Sequence, residues 1–163
     1  MKTARDVPDE AAVPLSGDSL SELMREVLAK GKPFRFRARG LSMSPFIKDG
    51  DVLTVTPLSA APRTGDVAAF LHPATGRLVV HRLVRKRAGR FQFKGDNADE
   101  VERDLAPEGI LGLVVSVERA GREFRLPRRA GVAVAGLSRA GLLRKAVGAA
   151  RRAGVRTPRR GRA

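Results

Sequence analysis

Between residues 33 and 126 the sequence consists of short apolar runs, separated at close intervals by glycine or proline. The first run, residues 34–39, alternates Phe or Ala with Arg, which is typical of a strand with one face in the core and one in water. Six further runs are predicted as strands: 51–56, 66–71, 77–85, 90–94, 110–120 and 123–126. This spacing predicts a mainly β domain, either a curled antiparallel sheet or a partly closed barrel.

A helix is predicted on each side of this β region. Ser19 and Glu22 have the spacing of a capping box, and Gly31 is expected to end the first helix. Its apolar face comprises Leu20, Leu23, Met24, Val27 and Leu28. We expect that face to cover an apolar edge of the sheet.

The second predicted helix lies near the carboxyl terminus. Ser138 is predicted to cap it, and it is expected to run to about Arg152 with apolar residues on one side and cationic residues on the other. Such a helix either docks on the domain or lies on an anionic membrane surface.

The length of 163 residues suits one domain with flanking segments. We predict a flexible arm at 1–16, the domain with its first helix at 17–127, and a basic amphipathic tail at 128–163. The absence of cysteine excludes disulfides, thiolate catalysis and cysteine-ligated metals. With only two histidines, neither a metal nor another cofactor is expected.

The net charge of +15 is concentrated at the carboxyl-terminal end. Residues 118–163 carry 14 Lys and Arg against 2 Asp and Glu, a net +12. Such a segment is suited to an anionic membrane or to nucleic acid, the membrane being preferred. No apolar run approaches the roughly 20 residues of a spanning helix, and the first residues do not resemble a secretory signal. We therefore predict a cytoplasmic protein, with peripheral membrane contact left open.

The candidate nucleophile is Ser42, which lies in a turn between Gly40 and Pro45. Glycine lets another backbone approach closely and proline stiffens the exit from the turn. We expect the hydroxyl to project, with the Ser42 N–H facing a developing oxyanion. A serine hydroxyl also needs a base to take its proton.

The candidate base is His81, at the centre of the apolar run Val79–Leu83. Burial there favours the neutral imidazole that a general base requires. His72, the other histidine, is predicted to lie in a solvated turn. Asp96 or Asp104 could orient His81, and spacing alone does not separate these two aspartates.

Four short boxes, in this order, resemble those of type I signal peptidases and of the related LexA-like self-cleaving repressors. They are residues 40–51 (Gly-Leu-Ser-Met-Ser-Pro to Asp-Gly-Asp), 64–67 (Thr-Gly-Asp-Val), 80–82 (Val-His-Arg) and 94–97 (Lys-Gly-Asp-Asn). The resemblance covers about residues 33–117. It implies the curled, mostly antiparallel β fold of that superfamily.

The resemblance also implies roles for single residues. Ser42 matches the nucleophile and His81 matches the base, a position that is lysine in most bacterial members and histidine in the archaeal and endoplasmic-reticulum type. In the histidine type an aspartate of the last box completes the site, matching Asp96 or Asp104. Gly40 stands where many signal peptidases have a serine that assists the oxyanion.

Two functions follow from these observations. The first is a serine endopeptidase that cleaves a peptide or protein precursor by a Ser-His-Asp mechanism. The second is a noncatalytic or regulatory module of the same fold, which binds nucleic acid or anionic membrane through its arginine-rich tail.

Overall fold

The computed structural model describes residues 17–99, 101, 104–126, 128–139 and 142. The predicted arm at residues 1–16 and most of the predicted tail lie outside these residues. Within them the protein is a seven-stranded antiparallel sheet with one helix before it in the sequence and one after it. The prediction of a mainly β fold is confirmed.

Each of the seven predicted runs forms a strand. The strands are β1 Phe34–Arg37, β2 Val52–Thr56, β3 Val67–Leu71, β4 Leu78–Arg87, β5 Arg90–Lys94, β6 Ile110–Arg119 and β7 Arg122–Phe124. Their order in the sheet is β1-β2-β6-β3-β4-β5, with β7 paired to β6. The sheet therefore stays open, with β1 and β5 at its edges, and of the two predicted forms the curled sheet is the correct one.

The first helix, α1, spans Gly17–Ala29 and begins two residues before the predicted cap at Ser19. Met24 and Leu28 are buried and join Leu53 and Val55 in the main hydrophobic core. This packing confirms that the helix covers the sheet. Leu23, however, is 41% exposed, so the predicted apolar face is wider than the buried one.

The second helix, α2, spans Arg128–Arg139 and so begins ten residues before the predicted start. Ser138 lies inside this helix, and its prediction as the cap is wrong. The reason is tertiary contact: a Cβ on Gly131 would stand 2.7 Å from the Gly65 carbonyl oxygen, so α2 lies backbone to backbone on the turn before β3. Ala135, one turn later, is also buried. The predicted stretch from residue 143 to 152 lies outside the described residues.

Neither α1 nor α2, nor any other helical segment of the described residues, is both long and apolar enough to cross a membrane.

Candidate active site

Ser42 is exposed on the turn that connects β1 to β2. Two hydrogen bonds close the base of this turn: Gly40 N–H donates to Asp49 Oδ1 at 2.8 Å, and Gly50 N–H donates to the Ala38 carbonyl at 2.9 Å. Gly40 has φ +90°, a conformation that side chains rarely tolerate, so glycine is needed there. Ser42 is exposed as predicted, but the reason predicted for Gly40 is wrong: nothing lies within 4 Å of a Cβ placed on it, so its positive φ and not a close backbone approach requires glycine.

Asp51 holds the same turn from its far end. Its carboxylate accepts two hydrogen bonds from Arg119 of β6, at 2.8 and 2.6 Å, and one from Lys48 N–H at 2.7 Å. Arg119 also donates to the carbonyl of Phe46 within the turn. Burial raises the pKa of Asp51, but these donors outweigh burial and hold the pKa below its ordinary value of 3.8.

His81 lies on β4, opposite Ala68 of β3 in the sheet register. Its side chain is buried, and its ring meets the Phe70 ring edge-on at a centroid distance of 6.2 Å. The Nδ1 atom is enclosed within the protein. The structure therefore places His81 in apolar surroundings, as the sequence predicts.

Gly95 lies close to both the Ser42 turn and the His81 ring. The position that a Cβ would occupy on Gly95 lies 2.7 Å from the Ser42 carbonyl oxygen and 3.0 Å from His81 Nε2. Any side chain at residue 95 would displace one of them, so the glycine allows the turn and the imidazole to approach. Next to it, Asn97 N–H donates to the Ser42 carbonyl at 2.7 Å.

A cleft of about 740 Å³ opens beside Ser42 and His81. One wall is formed by residues 36–40, at the end of β1 and just after it, and the other by residues 77–81, at the start of β4. The first turns of α1 also contribute to the lining. The two candidate residues thus share one groove, which the sequence could not establish.

Asp96 is fully buried and faces Arg82, the residue after His81. Arg82 Nε and Nη2 donate to the two Asp96 carboxylate oxygens at 2.9 and 2.8 Å, and Arg82 Nη1 donates to the Gly65 carbonyl at 2.9 Å. Burial raises the pKa of Asp96 despite the nearby charges of Arg82 and Lys94. The Asp96 carboxylate is therefore bonded to the residue that follows His81 on β4.

Asp104 lies on the outer side of β5. Its Oδ1 accepts a hydrogen bond from Gln92 Nε2 at 2.6 Å, and its carbonyl accepts one from Arg90 at 2.9 Å. Gln92 is paired with Arg85 of β4, while His81 lies four residues before Arg85. These bonds tie Asp104 to β5.

His72 lies in the turn between β3 and β4, as predicted. Its Nδ1 accepts a hydrogen bond from Ala74 N–H.

Several residues that build this site had no role in the sequence interpretation. Arg82, Asn97, Asp49 and Asp51 stand inside the recognised boxes, so their positions were visible although their partners were not. Arg119 gave no signal, because it is 68 residues from Asp51 and is one arginine among many.

A family model described as Peptidase S24-like matches residues 6–115. The comparison with curated proteins gave no match. The family match agrees with the open antiparallel sheet and with the resemblance to LexA-like proteins and signal peptidases. Because it spans more than half of the sequence, this chain belongs to the Peptidase S24-like family.

Proposed function

We propose that this chain is a serine endopeptidase in which Ser42 is the nucleophile and His81 is the general base. The observation that carries the proposal is the convergence of the Ser42 turn and His81 Nε2 on Gly95, at one side of a single cleft. An exposed serine and a buried imidazole in one groove are the two groups that acyl transfer needs.

The proton path follows from the ring atom that faces Gly95. Nε2 of His81 accepts the Ser42 hydroxyl proton as Oγ attacks the peptide carbonyl, and it returns that proton to the leaving amine as the peptide bond breaks. Water then attacks the ester on Ser42, giving a proton to Nε2, and Oγ leaves with that proton. Since Asp49 occupies the Gly40 N–H, we assign the Ser42 N–H as an oxyanion donor.

The arrangement of the strands supports an extended peptide as the substrate. Residues 78–81 of β4 pair with β3 on one side, whereas β5 pairs with β4 only from Arg82 onward. Across the cleft, β1 pairs with β2 alone among the described strands. A peptide lying in the cleft could therefore pair as an added strand with β1 on one wall or with the start of β4 on the other.

Substitution of Ser42 and His81 tests the proposal directly. Ser42→Ala and His81→Ala are compared with Ser59→Ala and His72→Ala, which change the same residue types outside the proposed chemistry. With peptides that carry small residues before the scissile bond, we expect kcat to fall by roughly two to four orders of magnitude for His81→Ala, and at least as far for Ser42→Ala. Cleavage that proceeds equally in all four variants would exclude this mechanism.

Lys94 provides a second test, because many bacterial relatives of this fold use lysine as the base. Its side chain is buried, and Nζ donates to the Ala98 carbonyl at 2.8 Å, within the loop that contains Gly95. We assign it to holding that loop. Lys94→Met should lower kcat far less than His81→Ala does, and the reverse order would make lysine the base.

The aspartates are assigned positioning roles in this proposal. Asp96 acts through Arg82, so Asp96→Asn should lower kcat and stability together. Asp104 is assigned to anchoring β5, so Asp104→Asn should leave the pH profile of kcat unchanged. A shift of the pKa on the acidic limb of that profile, which reports the general base, would instead assign Asp104 to orienting His81.

A second function, peripheral binding to an anionic membrane, is favoured by the surface of α2. Val132 and Leu137 are 55% and 44% exposed, in a stretch from 130 to 138 that contains no charged residue. Arginines flank this stretch in the sequence, as in helices that lie at a membrane interface.

Liposome sedimentation tests membrane binding. Anionic vesicles should retain the protein, and the double variant Val132→Asp with Leu137→Asp should no longer be retained. Equal retention by neutral vesicles, or by the double variant, would exclude it.

A further inference from the structure

Three arginines line the cleft that contains Ser42 and His81. Arg37 is the last residue of β1, Arg39 follows it on the same wall, and Arg77 directly precedes β4 on the opposite wall. All three residues are exposed. Cationic groups therefore stand on both sides of the groove.

The charge of the groove is not neutralised by its own lining. Asp18, in the first turn of α1, is the one carboxylate among the described lining residues. Arg37 donates to the Gly50 carbonyl at 2.9 Å, which holds it in place without cancelling its charge. A groove with fixed charge of one sign raises the local concentration of ligands of the opposite sign.

The spacing along β4 relates this charge to the reacting atoms. Arg77 precedes His81 by four residues, or about 13 Å in an extended strand at roughly 3.3 Å per residue. On the opposite wall, Arg39 is three residues before Ser42. A peptide extended through the cleft would thus pass the arginines a few residues away from its scissile bond.

We infer that the cleft selects peptides with acidic side chains, Asp or Glu, about three to four residues from the bond that is cut, with Arg77 and Arg39 as the specificity-determining residues. This inference rests on the proposed peptidase function and adds the chemical class of its substrate. The two arginines bind the charge that flanks the bond.

The probes are fluorescein-labelled dodecapeptides with an Ala-rich centre and either Glu, Gln or Lys four residues to each side of it. At low ionic strength the Glu peptide should have kcat/KM about two- to fivefold above the Gln peptide for each exposed ion pair formed, and the Lys peptide should be poorest. The preference should shrink as salt is added. Equal kcat/KM for the three peptides would overturn the inference.

Charge reversal identifies the residues responsible. Arg77→Glu combined with Arg39→Glu should invert the preference so that the Lys peptide is favoured. Arg85→Glu is the matched control, because Arg85 is an exposed arginine of the same strand outside the cleft lining. An unchanged preference in the double variant, or an equal inversion by Arg85→Glu, contradicts the assignment.

Binding to the Ser42→Ala variant separates this inference from the proposed activity. Fluorescence anisotropy should show the same order, Glu above Gln above Lys, and its inversion by the double reversal. If the wild-type protein cuts none of the peptides but binds them in this order, the peptidase proposal fails while the charge selection stands. If no peptide is bound and none is cut, the charge selection fails.

Discussion

Two arginine–aspartate pairs with the same two-pronged geometry hold the two loops of the site, but in different surroundings. The Arg82–Asp96 pair, behind the loop at Gly95, has side chains only 3% and 0% exposed. The Arg119–Asp51 pair, at the end of the Ser42 turn, has an arginine side chain that is 34% exposed. The pKa of Asp96 is raised and that of Asp51 is lowered.

Geometry alone therefore does not set the energetics of an ion pair. For Asp96, loss of water outweighs the attraction of Arg82, whereas for Asp51 the hydrogen bonds and charges outweigh a smaller loss of water. Each pair nevertheless connects a loop of the site to a strand of the sheet. The deep pair joins residues on β4 and the Gly95 loop, and the shallow pair joins the Ser42 turn to β6.

The largest effect is expected from breaking the deep pair on one side. Arg82→Ala leaves the buried Asp96 without its donors, which typically costs about 3–5 kcal/mol of unfolding free energy. Urea denaturation measures this loss. The double variant Arg82→Leu with Asp96→Leu should recover much of it, because an apolar pair needs no hydration. A double variant no more stable than Arg82→Ala would show that the pair is not limited by desolvation.

The shallow pair should be less sensitive. Arg119→Ala removes three hydrogen bonds to Asp51 and to the Phe46 carbonyl, but water can reach part of the site, so we expect about 1–3 kcal/mol. Activity should fall more than stability suggests, since the Ser42 turn loses its tie to β6. Arg122→Ala, an exposed arginine of β7, is the control. A loss equal to that of Arg82→Ala would remove the distinction between the pairs.

The two aspartates should respond to acid with opposite signs. Asp51 has a folded-state pKa below its unfolded value of 3.8, so its stabilisation is present above 3.8 and is lost as pH falls through the folded pKa. Asp96 has a raised pKa, so the wild type should lose stability relative to Asp96→Asn as pH rises from 3.8 through that pKa. Urea unfolding from about pH 2 to 6 measures both. The same slope for Asp51→Asn and Asp96→Asn contradicts the comparison.

The smallest effect is expected at the contact between the two loops. Asn97 Nδ2 donates to the Leu41 carbonyl at 3.2 Å, while the backbone N–H of Asn97 donates to the Ser42 carbonyl. Asn97→Ala removes only the first bond, at about 0.5–1.5 kcal/mol. Urea unfolding and kcat/KM should both change modestly. A loss larger than that of Arg119→Ala would mean that the contact, and not the two pairs, holds the loops together.

Much of the fold could be predicted because strand signals are local. The alternation at residues 34–39 and the glycine turns between runs depend on neighbours in sequence, and all seven strands were found from them. The start of α2 was missed because it depends on Gly131 packing against Gly65, a contact between residues far apart in the chain. The exposed position of Leu23 was missed for a similar reason, since helical periodicity does not define how much of a face the sheet covers.

The candidate site likewise has features that depend on neighbouring residues and features that depend on contacts between distant segments. By itself the sequence identified Ser42 in a glycine–proline turn and His81 in an apolar strand, because a hydroxyl turn and an in-strand imidazole are recognisable from adjacent residues. Three features follow from the folded arrangement alone: the Ser42 turn and His81 both lie close to Gly95, Asp96 faces Arg82, and Asp51 pairs with Arg119. Those contacts join segments from different strands, and the pairing of one aspartate with one arginine among many depends on the sheet order that brings them within hydrogen-bond distance.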